Sequence, residues 1–141
     1  MVQIRQADPA DRDRLREIQQ AAIAEPWPEL LNAAVEGAVP ASVAEDEDVV
    51  GYAIVVPGDE TAAYVPELAI SPARQREGHG SRLVAALSAR LATEGYDAVR
   101  LTAREVDDDA RAFYEDLGFV EVDRASDYFD SGDGIVLERD L

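Results

Sequence analysis

The stretch from Ile70 to Leu87, ISPARQREGHGSRLVAAL, carries an apolar strand-like end through Pro72, Gly78 and Gly80 into a helical pattern. A strand must end there, turn where side chains are absent, and open a helix within a few residues. The two glycines let the backbone bend sharply and let a ligand approach the N–H groups closely. The first turn of a helix has unpaired N–H donors and a partial positive charge. Together these make an anion site that needs no lysine. Leu83 stands where a dinucleotide fingerprint has its third glycine, so that motif is excluded, and a Walker loop is excluded with it. Taken alone, the residues fit a ligand-binding turn and a plain helix entry equally well.

Periodicity extends the reading in both directions. VQIRQ alternates as a short strand, and Asp8 or Asp11 can cap a helix bearing Leu15, Ile18 and Ala22. EPWP breaks that helix, and ELLNAAVEGA forms a second. PASVAED reads as a weak strand, with Glu45 to Asp48 as a hairpin turn. VVGYAIVVPG is a strand, and TAAYVPELAI is another, kinked at Pro66. The helix after the turn has Val84, Leu87 and Leu91 on one face, followed by the strand YDAVRLTAR. DDDARAFYEDLGF is a helix with Ala110, Phe113 and Leu117 on one face, closed by Gly118. VEVDRA and GIVLERDL close as an antiparallel pair. The order βααβββαβαββ predicts an α+β fold, a mixed α/β layer on a mostly antiparallel sheet.

Composition narrows the function. A chain of 141 residues without repeats or a low-complexity linker fits a single domain, residues 1–141. No apolar run approaches the ~20 residues of a membrane span, and the charged N-terminus lacks a signal peptide's apolar stretch. Without cysteine there is no thiolate ligand or cysteine nucleophile, and a single histidine leaves no two-histidine metal site, so no metal is expected. All 13 basic residues are arginine against 30 acids, for a net charge of −17. Lysine chemistry is therefore excluded, and nucleic acid is an unsuitable bulk partner. Salt at ~1 M shortens the Debye length to about 3 Å, so such a surface suits a salt-adapted, halophilic cytoplasm. Oligomeric state is not fixed by the pattern, and a homodimer is allowed.

Two separated motifs decide between the ligand turn and the plain one. LAISPARQREGHGSRLVAAL resembles the acetyl-CoA segment of the GNAT superfamily of N-acetyltransferases, whose Q/R-x-x-G-x-G/A signature fits Gln75, Gly78 and Gly80. DDDARAFYEDLGFVEV is similar to that family's N-x-x-A-x-x-F-Y-E-x-L-G-F block, and IRQADPADRDRLREI to its usual opening. The resemblance is weakest over residues 24–47. It implies a GNAT-like sheet that splays between the strand ending near Ile70 and the one starting near Val99. It implies that Leu68, Ala69 and Ile70 offer main-chain groups to pantetheine. Arg76, Glu77, Gly78, His79, Gly80 and Ser81 would present their N–H groups to the pyrophosphate. Two residues depart from the pattern: Glu77 stands where a basic residue or glycine is usual, and Asp107 replaces an asparagine whose amide would donate to the cofactor. Glu77 is tolerable there if it points away or pairs with Arg74 or Arg82.

The implied reaction is acetyl transfer from acetyl-CoA to a primary amine, of a small molecule or of a protein or peptide N-terminus, by direct attack in a ternary complex. Such a reaction needs a free amine, a polarised thioester and a proton for the thiolate. Glu67, on the strand leading into the turn, is the candidate base, with an exposed strand carboxylate as the plain alternative. Tyr114 occupies the position of the family's tyrosine that protonates coenzyme A, and a backbone N–H near Ile70 would hold the thioester oxygen. His79, between the glycines, is expected to face solvent or adenine. Trp27 sits where family members close over the acceptor, or simply packs. The acidic runs Glu45 to Asp48 and Asp107 to Asp109 read as solvated faces. The competing function class is a non-catalytic acyl-CoA-binding sensor.

Overall fold

A computed structural model describes residues 2–59 and 61–141. Its elements follow the order β1 (Gln3–Gln6), α1 (Arg12–Ala22), α2 (Pro28–Val35), β2 (Ala41–Asp46), β3 (Asp48–Pro57), β4 (Ala62–Ile70), α3 (His79–Thr93), β5 (Ala98–Arg104), α4 (Asp108–Asp116), β6 (Val120–Phe129) and β7 (Gly132–Asp140). This is the expected α+β order. Hydrogen-bonded neighbours run β1-β2-β3-β4-β5-β7-β6 in one seven-stranded, mostly antiparallel sheet. The chain forms two compact units, Met1–Val56 with Glu67–Leu87, and Pro57–Pro66 with Ser88–Leu141.

In the first unit, α1 and α2 cover one apolar cluster. Leu15 and Ile18 of α1 and Leu31, Ala34 and Val35 of α2 are buried with Val43, Tyr52, Ile54 and Ala69. A fully buried Leu or Ile contributes about 1.5–3 kcal/mol, so this cluster fixes both helices. Of the two candidate caps, Asp8 caps the short 3-10 turn Pro9–Asp11 that leads into α1, its carboxylate accepting the Ala10 N–H at 2.8 Å. The Asp11 side chain accepts the Asp8 N–H at 2.9 Å and does not cap α1. Asp11 is buried and takes two bonds from Arg5, both at 2.9 Å. That guanidinium holds the Asp11 carboxyl below the usual range.

The β2–β3 hairpin departs from expectation. β2 pairs along its whole length, from Ala41↔Ile54 to Asp46↔Asp48, so the turn is Glu47 alone, at φ +65°. Three of the four residues taken for a solvated turn are engaged: Glu45 bonds Arg5, Asp46 bonds Arg74 and Asp48 pairs with Arg14. Gly51 of β3 is required by a close approach. A Cβ there would lie 2.4 Å from Ile70 Cδ1 and 2.8 Å from the Ala69 carbonyl.

In the second unit, β4 and β5 pair in parallel from Ala62↔Ala98 to Val65↔Leu101. The ladder ends just before Pro66, which has no N–H to donate. β5 pairs antiparallel with β7 from Ala98↔Asp140 to Arg104↔Gly134, and β6 pairs with β7 through two register shifts. β6 is longer than predicted and mostly exposed. The predicted apolar face of α4 is only half-buried, and none of the helix's residues is fully buried. Gly118 takes the left-handed conformation expected of a helix stop, at φ +93°.

Candidate active site

Glu67 is not an exposed strand carboxylate. It lies on the buried face of β4, with 6% of its surface accessible. Three donors converge on it. Gln19 Nε2 donates to Oε1 at 2.8 Å, the Tyr52 hydroxyl to the same oxygen at 2.9 Å, and the Trp27 backbone N–H to Oε2 at 2.9 Å. A carboxylate offers about four lone-pair positions, so Oε1 is saturated and Oε2 keeps one. Burial and then the Glu67 charge push the Tyr52 phenol far up, so it stays a neutral donor. Gln19 must aim its NH₂ at the carboxylate, which leaves its own Oε1 buried without a partner among the described residues. Trp27 is tied by its backbone while its surface is 55% exposed. It does not pack away as one sequence reading allowed.

Sequence reasoning missed Gln19 and Tyr52, though both left a signal. Gln19 falls four residues after Leu15, on the apolar stripe of α1. Tyr52 interrupts the apolar run of β3. A polar group on a buried face needs a partner, and these two share one.

The turn after β4 is shaped by its own side chains. The Ser71 N–H reaches the Val50 carbonyl at 2.7 Å, and Gln75 Nε2 donates to the Ile70 carbonyl at 3.2 Å. Leu68 and Ile70 are half-buried and Ala69 is buried. Arg76 and Gly78 take left-handed conformations, at φ +66° and +85°. α3 begins at His79, before the second glycine, so the N–H groups of His79, Gly80 and Ser81 belong to its first turn and lack intrahelical acceptors. Glu77 is turned to Arg74 Nε at 2.9 Å and His79 Nε2 at 3.0 Å, and the Arg74 bond comes first in holding its carboxyl below the usual range. His79 does not face solvent: it is 3% exposed, and Nδ1 is buried without a partner among the described residues. Asp46, Glu77 and His79 each bring a ligand-type atom within 4.8 Å of the others. Arg74 already supplies the positive charge there, with Nη2 2.7 Å from Asp46 Oδ2.

In the second unit, Tyr114 packs edge-to-face between Phe113 and Phe119, with ring centroids at 5.1 and 5.5 Å. Burial, then the Asp107 charge, push its phenol up, so it is protonated at any working pH. Asp107 is not merely part of a solvated run. It caps α4, accepting the Ala110 N–H at 3.1 Å. The cap uses one carboxylate oxygen where the family pattern has an amide donor.

A first helical turn with unpaired N–H groups, following a strand that bears a buried carboxylate, is an arrangement that suits an acyl-carrier-dependent transferase. The chain belongs to the acetyltransferase (GNAT) family, which it matches over residues 7–119. It is an N-acetyltransferase, moving an acetyl group from acetyl-CoA to an amine. It is 33% identical over 134 residues to the [ribosomal protein bS18]-alanine N-acetyltransferase of Haemophilus influenzae, covering 93% of this chain and 90% of that one. It is 30% identical over 127 residues to the protein of the same name from Haemophilus ducreyi, covering 88% and 86%. In fold it is similar to Arabidopsis thaliana NAA60 in complex with acetyl-CoA, with TM-score 0.89, 16% identity and coverage of 100% and 99%.

Proposed function

We propose that the amine acceptor is the α-amine of a protein or peptide N-terminus. The observation that carries this is the similarity, across most of both chains, to two alanine N-acetyltransferases. Alanine has no side-chain nitrogen, so its N-acetylation falls on the α-amine. The acid–base demand of that acceptor is modest. An α-amine with pKa about 7.7–8.0 is free in roughly one molecule in six to eleven at pH 7, a deficit of about 1 kcal/mol. A lysine amine near 10.4 is free in roughly one in 2,500, a deficit of about 4.6 kcal/mol.

In this reading residues 1–141 act as one acetyltransferase domain. Glu67 takes the ammonium proton on Oε2, directly or through water. The amine nitrogen bonds to the acetyl carbon, the C–S bond breaks, the sulfur takes a proton that Tyr114 donates, and the second proton lost by the nitrogen restores the phenol. The net products are the amide, coenzyme A thiol and one proton released. Leu68, Ala69 and Ile70 align the pantetheine arm through their main chain, and Gln75 braces the Ile70 carbonyl. Arg76, Glu77, Gly78, His79, Gly80 and Ser81 line the pyrophosphate turn, through their N–H groups rather than a lysine. Asp107 serves by capping the helix that carries Tyr114. The lysine-free charge of −17 supports a salt-adapted, cytoplasmic enzyme that draws a cationic acceptor and acts without metal, nucleic acid or membrane; homodimer formation is compatible with it.

The test is an acceptor comparison in molar KCl. A peptide with a free N-terminal alanine should gain one acetyl group, by mass, with coenzyme A release. The same peptide with a blocked N-terminus and an internal lysine should not. Acetylation of the blocked peptide alone overturns the α-amine assignment. Acetyl-CoA binding without any acetylated product would favour the sensor class.

A further inference from the structure

The turn before α3 adopts a conformation its sequence does not favour. Arg76 has a side chain yet sits at φ +66°. Such residues persist where the surroundings over-determine them. One guanidinium supplies that constraint. Arg74 Nη2 donates to Asp46 Oδ2 at 2.7 Å and Arg74 Nε to Glu77 Oε1 at 2.9 Å, so a single planar group ties a carboxylate within the turn to one at the end of β2. Asp46 is a fixed anchor, because it is paired opposite Asp48 where the β2–β3 hairpin closes. His79 completes the arrangement from the helix side, its Nε2 3.0 Å from the same Glu77 oxygen. A carboxylate only accepts, so in this bond Nε2 carries the hydrogen.

We propose that Asp46 and Arg74 are positioning residues for acetyl-CoA: the hairpin carboxylate, through the guanidinium, holds the strained turn in its anion-binding shape. The same bonds engage the Glu77 carboxylate, so a negative side chain is accommodated in a turn whose N–H groups receive a pyrophosphate. The clamp acts on cofactor affinity and not on the chemical step. It rests on the assignment of acetyl-CoA to this turn.

The experiment measures acetyl-CoA dissociation constants by calorimetry, and KM and kcat, for wild type, Asp46→Asn, Asp46→Glu and Arg74→Lys. Asp46→Asn should raise the dissociation constant and KM about three- to tenfold, the range of a partly exposed charged bond, with kcat unchanged at saturation. Asp46→Glu should restore most of the affinity. Arg74→Lys, which cannot bridge two carboxylates with a planar fork, should show an intermediate loss. In an Arg76→Asn background, where the left-handed conformation costs less, Asp46→Asn should lose little further affinity. Molar KCl should shrink the Asp46→Asn defect by screening the bridge. Wild-type affinity in both Asp46→Asn and Arg74→Lys overturns the proposal, as does a fall in kcat at unchanged KM. A wild-type protein that binds no acetyl-CoA overturns the cofactor assignment itself, a result distinct from failure of the clamp.

Discussion

The two units bury different things. All six buried polar or charged residues among those described, Asp11, Gln19, Ser42, Glu67, Ser71 and His79, lie in the first unit. The second buries apolar side chains such as Leu101, Phe119, Ile135 and Leu137, leaves Val120 and Val122 in solvent, and has an α4 with no buried residue. A buried polar group costs free energy unless it is hydrogen-bonded, so the first unit spends packing on geometry. The second reaches its shape through strand pairing and an aromatic cluster of Phe113, Tyr114 and Phe119. Under the proposed mechanism, the base Glu67 belongs to the first unit and the acid Tyr114 to the second.

The sharpest way to exploit it is Tyr114→Phe in the second unit. The ring and its stacking remain, so the melting temperature should barely move and acetyl-CoA affinity should hold. Turnover should fall by ~10²–10⁴, the usual worth of a positioned general acid. Unchanged turnover would leave water as the proton donor.

Glu67→Gln tests the first unit twice. With an α-amine acceptor the rate at pH 7 should fall about tenfold, and the defect should shrink towards pH 9 as the amine frees itself. Stability should fall by about 1–3 kcal/mol, because three donors converge on the carboxylate and an amide cannot accept from all of them. Urea midpoints would show it, and they should show it equally in dilute buffer and in molar KCl. A rate defect constant across pH would reduce Glu67 to a positioning group.

The whole chain should nonetheless be more stable in molar KCl than in dilute buffer, since screening relieves the repulsion of 30 acids facing 13 arginines. Equal urea midpoints would end the salt-adapted reading. The smallest effect serves as the control. Glu121→Gln, an exposed acid 3.7 Å from Arg111, should change stability by less than about 0.5 kcal/mol. A cost matching that of Glu67→Gln would erase the difference between the units.

Much of this was legible in the sequence, because element order follows from apolar periodicity and from Gly and Pro punctuation, both local signals. Gly118 after α4 and Gly78 before α3 each act where the pattern puts them, whereas Pro28, read as part of a helix break, opens α2. Partnerships across long sequence separation were not legible. Glu67 reads as well for a base as for an exposed strand carboxylate until Gln19 and Trp27, 48 and 40 positions away, are folded against it. The acidic run at Glu45 to Asp48 reads as solvated for the same reason, since its arginines at positions 5, 14 and 74 are distant in the chain. His79 was misread because a residue between glycines looks exposed, whereas here it opens a helix and points inward.

β6 ends the sheet, and an outermost strand offers unpaired N–H and C=O groups to any other chain that drifts alongside. In dilute solution the acids along it, Glu121, Asp123 and Asp127, keep copies apart by repulsion. Concentrated salt removes that protection at the same time as it relieves strain elsewhere. What remains is shape. The two register shifts, between Glu121 and Asp123 and between Ala125 and Phe129, break the straight run of groups that a second strand would need for stacking. An irregular edge of this kind disfavours strand-to-strand stacking whether or not salt screens the charge.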